Sequence, residues 1–163
     1  MLIEYTVLFF TPYTTKNYIK MFRQILLTLT FTISFITLQA QNTSSLYKGT
    51  VNGKMPVTLF LQSVENGCGG DPYYNGMYRY EKVSNWLQLN VTEGINQQFA
   101  MVEEGFTGLM ILKKDGETMN GTWISPDGKK QIPVQLKKVS IGKKDMESYE
   151  KRMEQLNYEN HDC

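Results

Sequence analysis

Histidine is nearly missing from this chain: the only one, His161, stands in a polar tail at the C-terminal end. A Ser-His-Asp or Cys-His unit needs an imidazole held in register by packing, which a terminal residue does not supply. Zinc is starved of ligands for the same reason, since His161, Asp162 and Cys163 form nothing more than a short terminal run. A basic surplus is also lacking. The formal charge is +1, so no broad cationic surface exists to release counterions from nucleic acid. Carboxylates offer no paired acid and base either, because Glu103 and Glu104 are adjacent in a strand pattern and therefore point to opposite faces. With no reactive constellation, a non-enzymatic protein without cofactor or metal is expected.

Long apolar runs are absent as well. The longest apolar segment, Ile25 to Leu38, is interrupted by threonines and one serine and is shorter than the roughly twenty residues a spanning helix needs. Arg23 precedes it and the small residue Ala40 follows, the layout of a secretory signal peptide over 21–41 with cleavage after Ala40. Leu38 is large for the position two before Ala40, so a retained tether is the alternative, and a buried core segment a third. Met21 provides its own start, which makes 1–20 an extension upstream of the true beginning. Removal of the leader takes away Lys16, Lys20, Arg23 and Glu4 and turns the formal charge negative. The mature chain is expected to be exported, periplasmic or secreted, with no stable membrane span.

What is present is strand rhythm. With 41% hydrophobic and 20% charged residues, the 163-residue chain has the composition of one packed domain. From Leu46 to Val139 about eight alternating segments follow one another, punctuated by turn signals. Asn52-Gly53 between Tyr47–Val51 and Met55–Gln62 predicts a tight hairpin. In the second of these strands Met55, Val57, Leu59 and Leu61 share one face, Phe60 interrupts the other, and Pro56 belongs at the strand start or a bulge. Further strands are predicted over Tyr73–Tyr80, Trp86–Thr92, Gln97–Glu104, Thr107–Lys113, Met119–Ser125 and Gln131–Val139. Every connection after Pro72 is short, so neighbours pair antiparallel, and eight such strands close to remove their edges. Gly76, Gly108 and Gly121 fall inside predicted strands and mark bends or bulges. The fold class is therefore all-β: an eight-stranded up-and-down barrel over 45–139.

Beyond the barrel, Met146, Tyr149, Met153 and Leu156 recur at helical spacing, predicting an amphipathic helix over 143–157 and a tail over 158–163. It packs either on the barrel wall or across one mouth; a solvated tail is the other possibility. Two cysteines in an exported protein most simply pair. A Cys68–Cys163 bridge would close a loop of about 95 residues, worth roughly 4 kcal/mol in the chain-entropy treatment, and would hold the helix near one mouth as a lid. Free thiols or pairing between molecules are the alternatives.

The phrases Gly76-Met77-Tyr78-Arg79-Tyr80, Leu87-Gln88-Leu89, Thr107-Gly108 and Asn120-Gly121-Thr122-Trp123 resemble the strand phrases of lipocalin-like and avidin-like (calycin-type) barrels and of small exported barrels of bacterial envelopes. The resemblance implies a ligand cavity inside the barrel, although Gly121-Thr122-Trp123 falls near the seventh strand, whereas lipocalins carry that phrase in the first. Clustered aromatics are either barrel filling or a stacking surface for a flat ligand. The candidate ligand-binding residues are Tyr78, Tyr80, Trp86, Phe99, Glu103 and Trp123. Trp123 shares its parity with Met119 and Gly121 and should face inward. Trp86 is opposite in parity to Leu87 and Leu89 and should be exposed. Glu103 either faces the interior with Phe99 and Met101 or ends its strand at the rim. The functional expectation is an exported binding protein for an unknown small molecule or envelope protein. The alternative is an inhibitor or accessory subunit of an envelope enzyme, acting through the 64–72 loop.

Overall fold

Asn52 and Gly53 both adopt left-handed backbone, with φ of 55° and 63°, as the two central residues of a tight hairpin turn in which the Lys54 N–H donates to the Val51 carbonyl at 3.3 Å. This turn joins β1 (Thr43–Val51) to β2 (Met55–Val64) and sets their register, from Val51 opposite Met55 to Thr43 opposite Ser63. The computed structural model describes residues 18–24 and 42–161, in two separate units, 1–40 and 41–163. In the first unit residues 18–24 form an exposed helical segment, α1. The apolar segment Ile25–Leu38, the cleavage point and Cys163 lie outside the described residues.

The second unit continues through β3 (Tyr73–Tyr80), β4 (Leu87–Glu93), β5 (Gln98–Glu103), β6 (Leu109–Asp115), β7 (Thr118–Ile124) and β8 (Gln131–Val139). Each strand pairs antiparallel with its sequence neighbour, and β1 pairs with β8 from Leu46 opposite Val139 to Val51 opposite Val134, closing an eight-stranded up-and-down barrel. Pro56 sits at the start of β2, where a missing N–H costs little. Gly108 lies just outside β6, not within a strand: residues Glu104–Phe106 form a 3-10 turn in which Gly105 and Phe106 have φ of 75° and 53°.

Alternation sorts the side chains. The interior receives residues from all eight strands, among them Tyr47, Leu59, Tyr78, Met101, Leu112 and Met119, each at most 5% exposed. An eight-stranded barrel is just wide enough for side chains to fill, and this one is filled through its middle. The central cavity implied by the lipocalin-like phrases is thus occupied by the protein's own side chains.

After β8 the helix α2 (Lys143–His161) is one turn longer at its C-terminal end than the apolar spacing predicts. It packs on the outer wall. Met153 and Leu156 meet Leu46, Phe60, Met77 and Trp86, with Met146 and Tyr149 alongside. Phe60 interrupts the polar outer face because α2 covers it, and its ring stacks on Tyr149 at 6.1 Å. Trp86 is likewise covered, at 9% exposure, edge-on to Tyr149 at 5.8 Å and beneath the Arg79 guanidinium at 4.9 Å. Its expected exposure is corrected by this covering helix, which strand parity alone does not reveal. Polar contacts frame the apolar seam: the Ser44 hydroxyl donates to Glu150 at 2.6 Å and Asn160 donates to the Gln88 carbonyl at 2.5 Å.

Since Phe60 is fully buried between wall and helix, Phe60→Ala should cost about 3–5 kcal/mol and free α2 for proteolysis while the barrel stays folded. Urea unfolding paired with limited proteolysis measures both effects; unchanged protection of α2 would contradict the seam.

Candidate functional site at the loop end of the barrel

Up-and-down connectivity gives the barrel two unlike ends. The β1–β2, β3–β4, β5–β6 and β7–β8 connections gather at one, the hairpin end; the 65–72 loop and the β4–β5 and β6–β7 turns gather at the other, the loop end.

The hairpin end is fastened by a buried carboxylate. Glu103, the last residue of β5, is 3% exposed and points inward. Burying a charged or polar group is tolerable when donors replace water, and three do. Tyr78 from β3 donates its hydroxyl to Oε1, the Trp123 indole of β7 donates to the same oxygen at 2.7 Å, and Thr107 donates to Oε2 at 2.6 Å. The Glu103 N–H donates to the Gly108 carbonyl at 2.9 Å and closes the turn. A side chain at Gly108 would sit 2.5 Å from Glu103 Oε1, so this position needs glycine for close approach. Burial, then the hydrogen bond to Glu103, pushes the Tyr78 hydroxyl far above its ordinary range. Burial also raises Tyr80, whose ring meets Tyr78 edge-on at 5.7 Å. With both oxygens engaged, the arrangement ties three strands and a turn together.

The loop end is open. A groove of about 610 Å³ runs between the end of the long loop and the β4–β5 turn. Its floor is Tyr74 and Val91; Asp71 and Tyr73 stand on one side, Glu93 and Ile95 on the other. Tyr74 donates to Glu93 Oε2 at 2.5 Å, and its hydroxyl is pushed up to about 12 by burial and by that carboxylate. The ring rests edge-on against Phe99 at 5.3 Å, which joins the groove floor to the packed interior. Ile95 is 81% exposed and Tyr73 54%. Immediately after Ile95, Asn96 and Gln97 both hold left-handed backbone, φ 57° and 59°. Consecutive non-glycine residues in that region are strained, and such strain persists where a surface is held in a particular shape.

The six candidate binding residues are distributed over three places. Tyr78, Tyr80, Glu103 and Trp123 come together at the hairpin end, Phe99 lies beneath the groove, and Trp86 is outside the barrel under α2. Of the two readings for Glu103 the interior one holds, because its donors come from side chains across the barrel. Sequence reasoning missed Asp71, Tyr73, Tyr74, Glu93 and Ile95 as one site. The Tyr73-Tyr74 pair was a usable signal, whereas nothing in Ile95-Asn96-Gln97 announces a left-handed turn. Cys68 is exposed and free, and Cys163 falls outside the described residues, so no bridge is seen. Among the described residues no group of three or more His, Cys, Asp or Glu side chains converges as metal ligands would. No family model matches the chain, and no similar curated protein or solved structure was found.

Two outcomes follow from the hairpin-end network. Trp123→Ala should cost about 3–5 kcal/mol in urea unfolding, since it removes packing and one of three donors to a buried carboxylate. The folded state holds Tyr78 protonated while unfolded tyrosines ionise near pH 10, so the native chain binds the extra proton and stability should fall as pH rises above about 10. Tyr78→Phe should flatten that alkaline decline, measured as urea midpoints against pH; an unchanged slope would assign the effect elsewhere.

Proposed function

We propose that this chain is an exported, non-enzymatic binding barrel that takes its ligand in the loop-end groove, in the periplasm or after secretion. The groove itself carries the reading: about 610 Å³ of open space with an aromatic floor and an exposed apolar rim, on a barrel whose interior is otherwise filled. Pockets of this size class take small molecules or a few side chains of a partner. Export is supported by the charged start, apolar stretch and small residue of 21–41. Among the described residues no helix is long and apolar enough to cross a membrane.

A second reading, an inhibitor or accessory subunit of an envelope enzyme, is favoured by the long loop. Residues 65–73 are exposed throughout, and their end forms one side of the groove.

Native mass spectrometry of protein incubated with envelope-derived extract tests the main reading. A bound species is expected on the wild type and its loss on Ile95→Asp; a wild type that emerges bare would overturn ligand binding. Pull-down with residues 66–70 deleted, which leaves the groove-lining Asp71 in place, separates the second: loss of a recovered partner supports the loop as the contact, and undiminished recovery removes it.

A further inference from the structure

Charge in the groove is one-sided. Asp71 and Glu93 both line it, and no lysine or arginine does. One Glu93 oxygen accepts from Tyr74 and the other is open toward solvent, while the Asp71 carboxylate meets no donor among the described residues. A second hollow of about 420 Å³ abuts the first, sharing Tyr74, Val91 and Thr92, and extends toward the C-terminal end of α2. It lacks lysine and arginine, and His161 lines it on the α2 side. There the amide groups of Asn75 and Asn90 each give one N–H, to Gln62 and Glu104 at 3.3 and 3.0 Å, and keep a second N–H beside the carbonyl oxygen. Gln88 is used on both sides, by Asn157 and Asn160. A ligand in the groove therefore meets two carboxylates and no lysine or arginine. Anions are repelled, and a neutral hydroxyl-rich ligand can donate to the two carboxylates but leaves their charge uncompensated. Ammonium and guanidinium groups carry donors alone.

From this complementarity we infer that the groove takes an extended polypeptide segment carrying arginine or lysine between apolar residues. The inference rests on the binding reading above and adds the class of occupant. The basic head pairs with Asp71 and Glu93. Its apolar neighbours lie on Ile95 and Tyr73, whose exposed ring also offers a face to the cation. Two adjoining hollows exceed what a single side chain fills, which favours a chain over a small amine.

Fluorescence anisotropy on the folded barrel is the test, with a labelled peptide of alternating leucine and arginine, the matched leucine–glutamate peptide, and a labelled neutral glucan oligosaccharide as probes. The arginine peptide should bind saturably and weaken with added salt. The isosteric double variant Asp71→Asn/Glu93→Gln should weaken it by about tenfold, with circular dichroism unchanged. Equal binding of both peptides, preference for the glucan, or indifference to the double variant would each overturn the inference. The two levels stay distinguishable through Ile95→Ser and Tyr73→Ala. If these abolish binding while the carboxylate variant does not, the groove stands and its charge preference falls. If none of the four substitutions matters, both fall.

Discussion

Pairing of β1 with β8 is the constraint on which everything else in the barrel depends. An open eight-stranded sheet would leave two rows of unpaired backbone groups and a curved apolar face only half covered. Joining Leu46–Val51 to Val134–Val139 satisfies both rows at once and turns the shared apolar face into an enclosed core. Closure also fixes the bore. That bore is lined by tyrosines, leucines and methionines packed against one another, so the open surface of the barrel lies at its rims and outer wall.

The two rims solve opposite problems. At the hairpin end short turns bring side chains close together, and Glu103 gathers Tyr78, Thr107 and Trp123 into one hydrogen-bonded fastening. At the loop end the connections stand apart, Tyr74 reaches Glu93 across the floor, and a groove remains. Helix α2 adds a third element by covering Phe60, Met77 and Trp86 on one side of the wall. That seam explains why apolar residues occur where a free-standing barrel would be polar.

Strand order, pairing and closure were legible in the sequence because they rest on local signals: period-two alternation, Asn52-Gly53, and short turns after Pro72. The inward facing of Trp123 followed from the same parity. Trp86 was misread because parity tells which face a residue occupies and not whether another element covers that face. Glu103 was ambiguous for a related reason. A lone carboxylate at a strand end becomes an interior group only if donors wait across the barrel, and those donors come from β3 and β7. The groove was least legible. It arises from two connections far apart in sequence, and its shape depends on left-handed Asn96 and Gln97, residue types with no strong preference to advertise it.

Separation of the fastened end from the open one bears on how such a protein can diversify. The 65–72 connection is exposed throughout and contributes nothing to the ladder that closes the barrel. Lengthening a flexible connection costs only about 0.6 kcal/mol for each doubling, so insertions there are tolerated far more cheaply than in the short turns opposite. The shape of one rim can thus be rewritten over evolutionary time, while the ladder and the acid-centred knot at the other rim continue to hold the same cylinder.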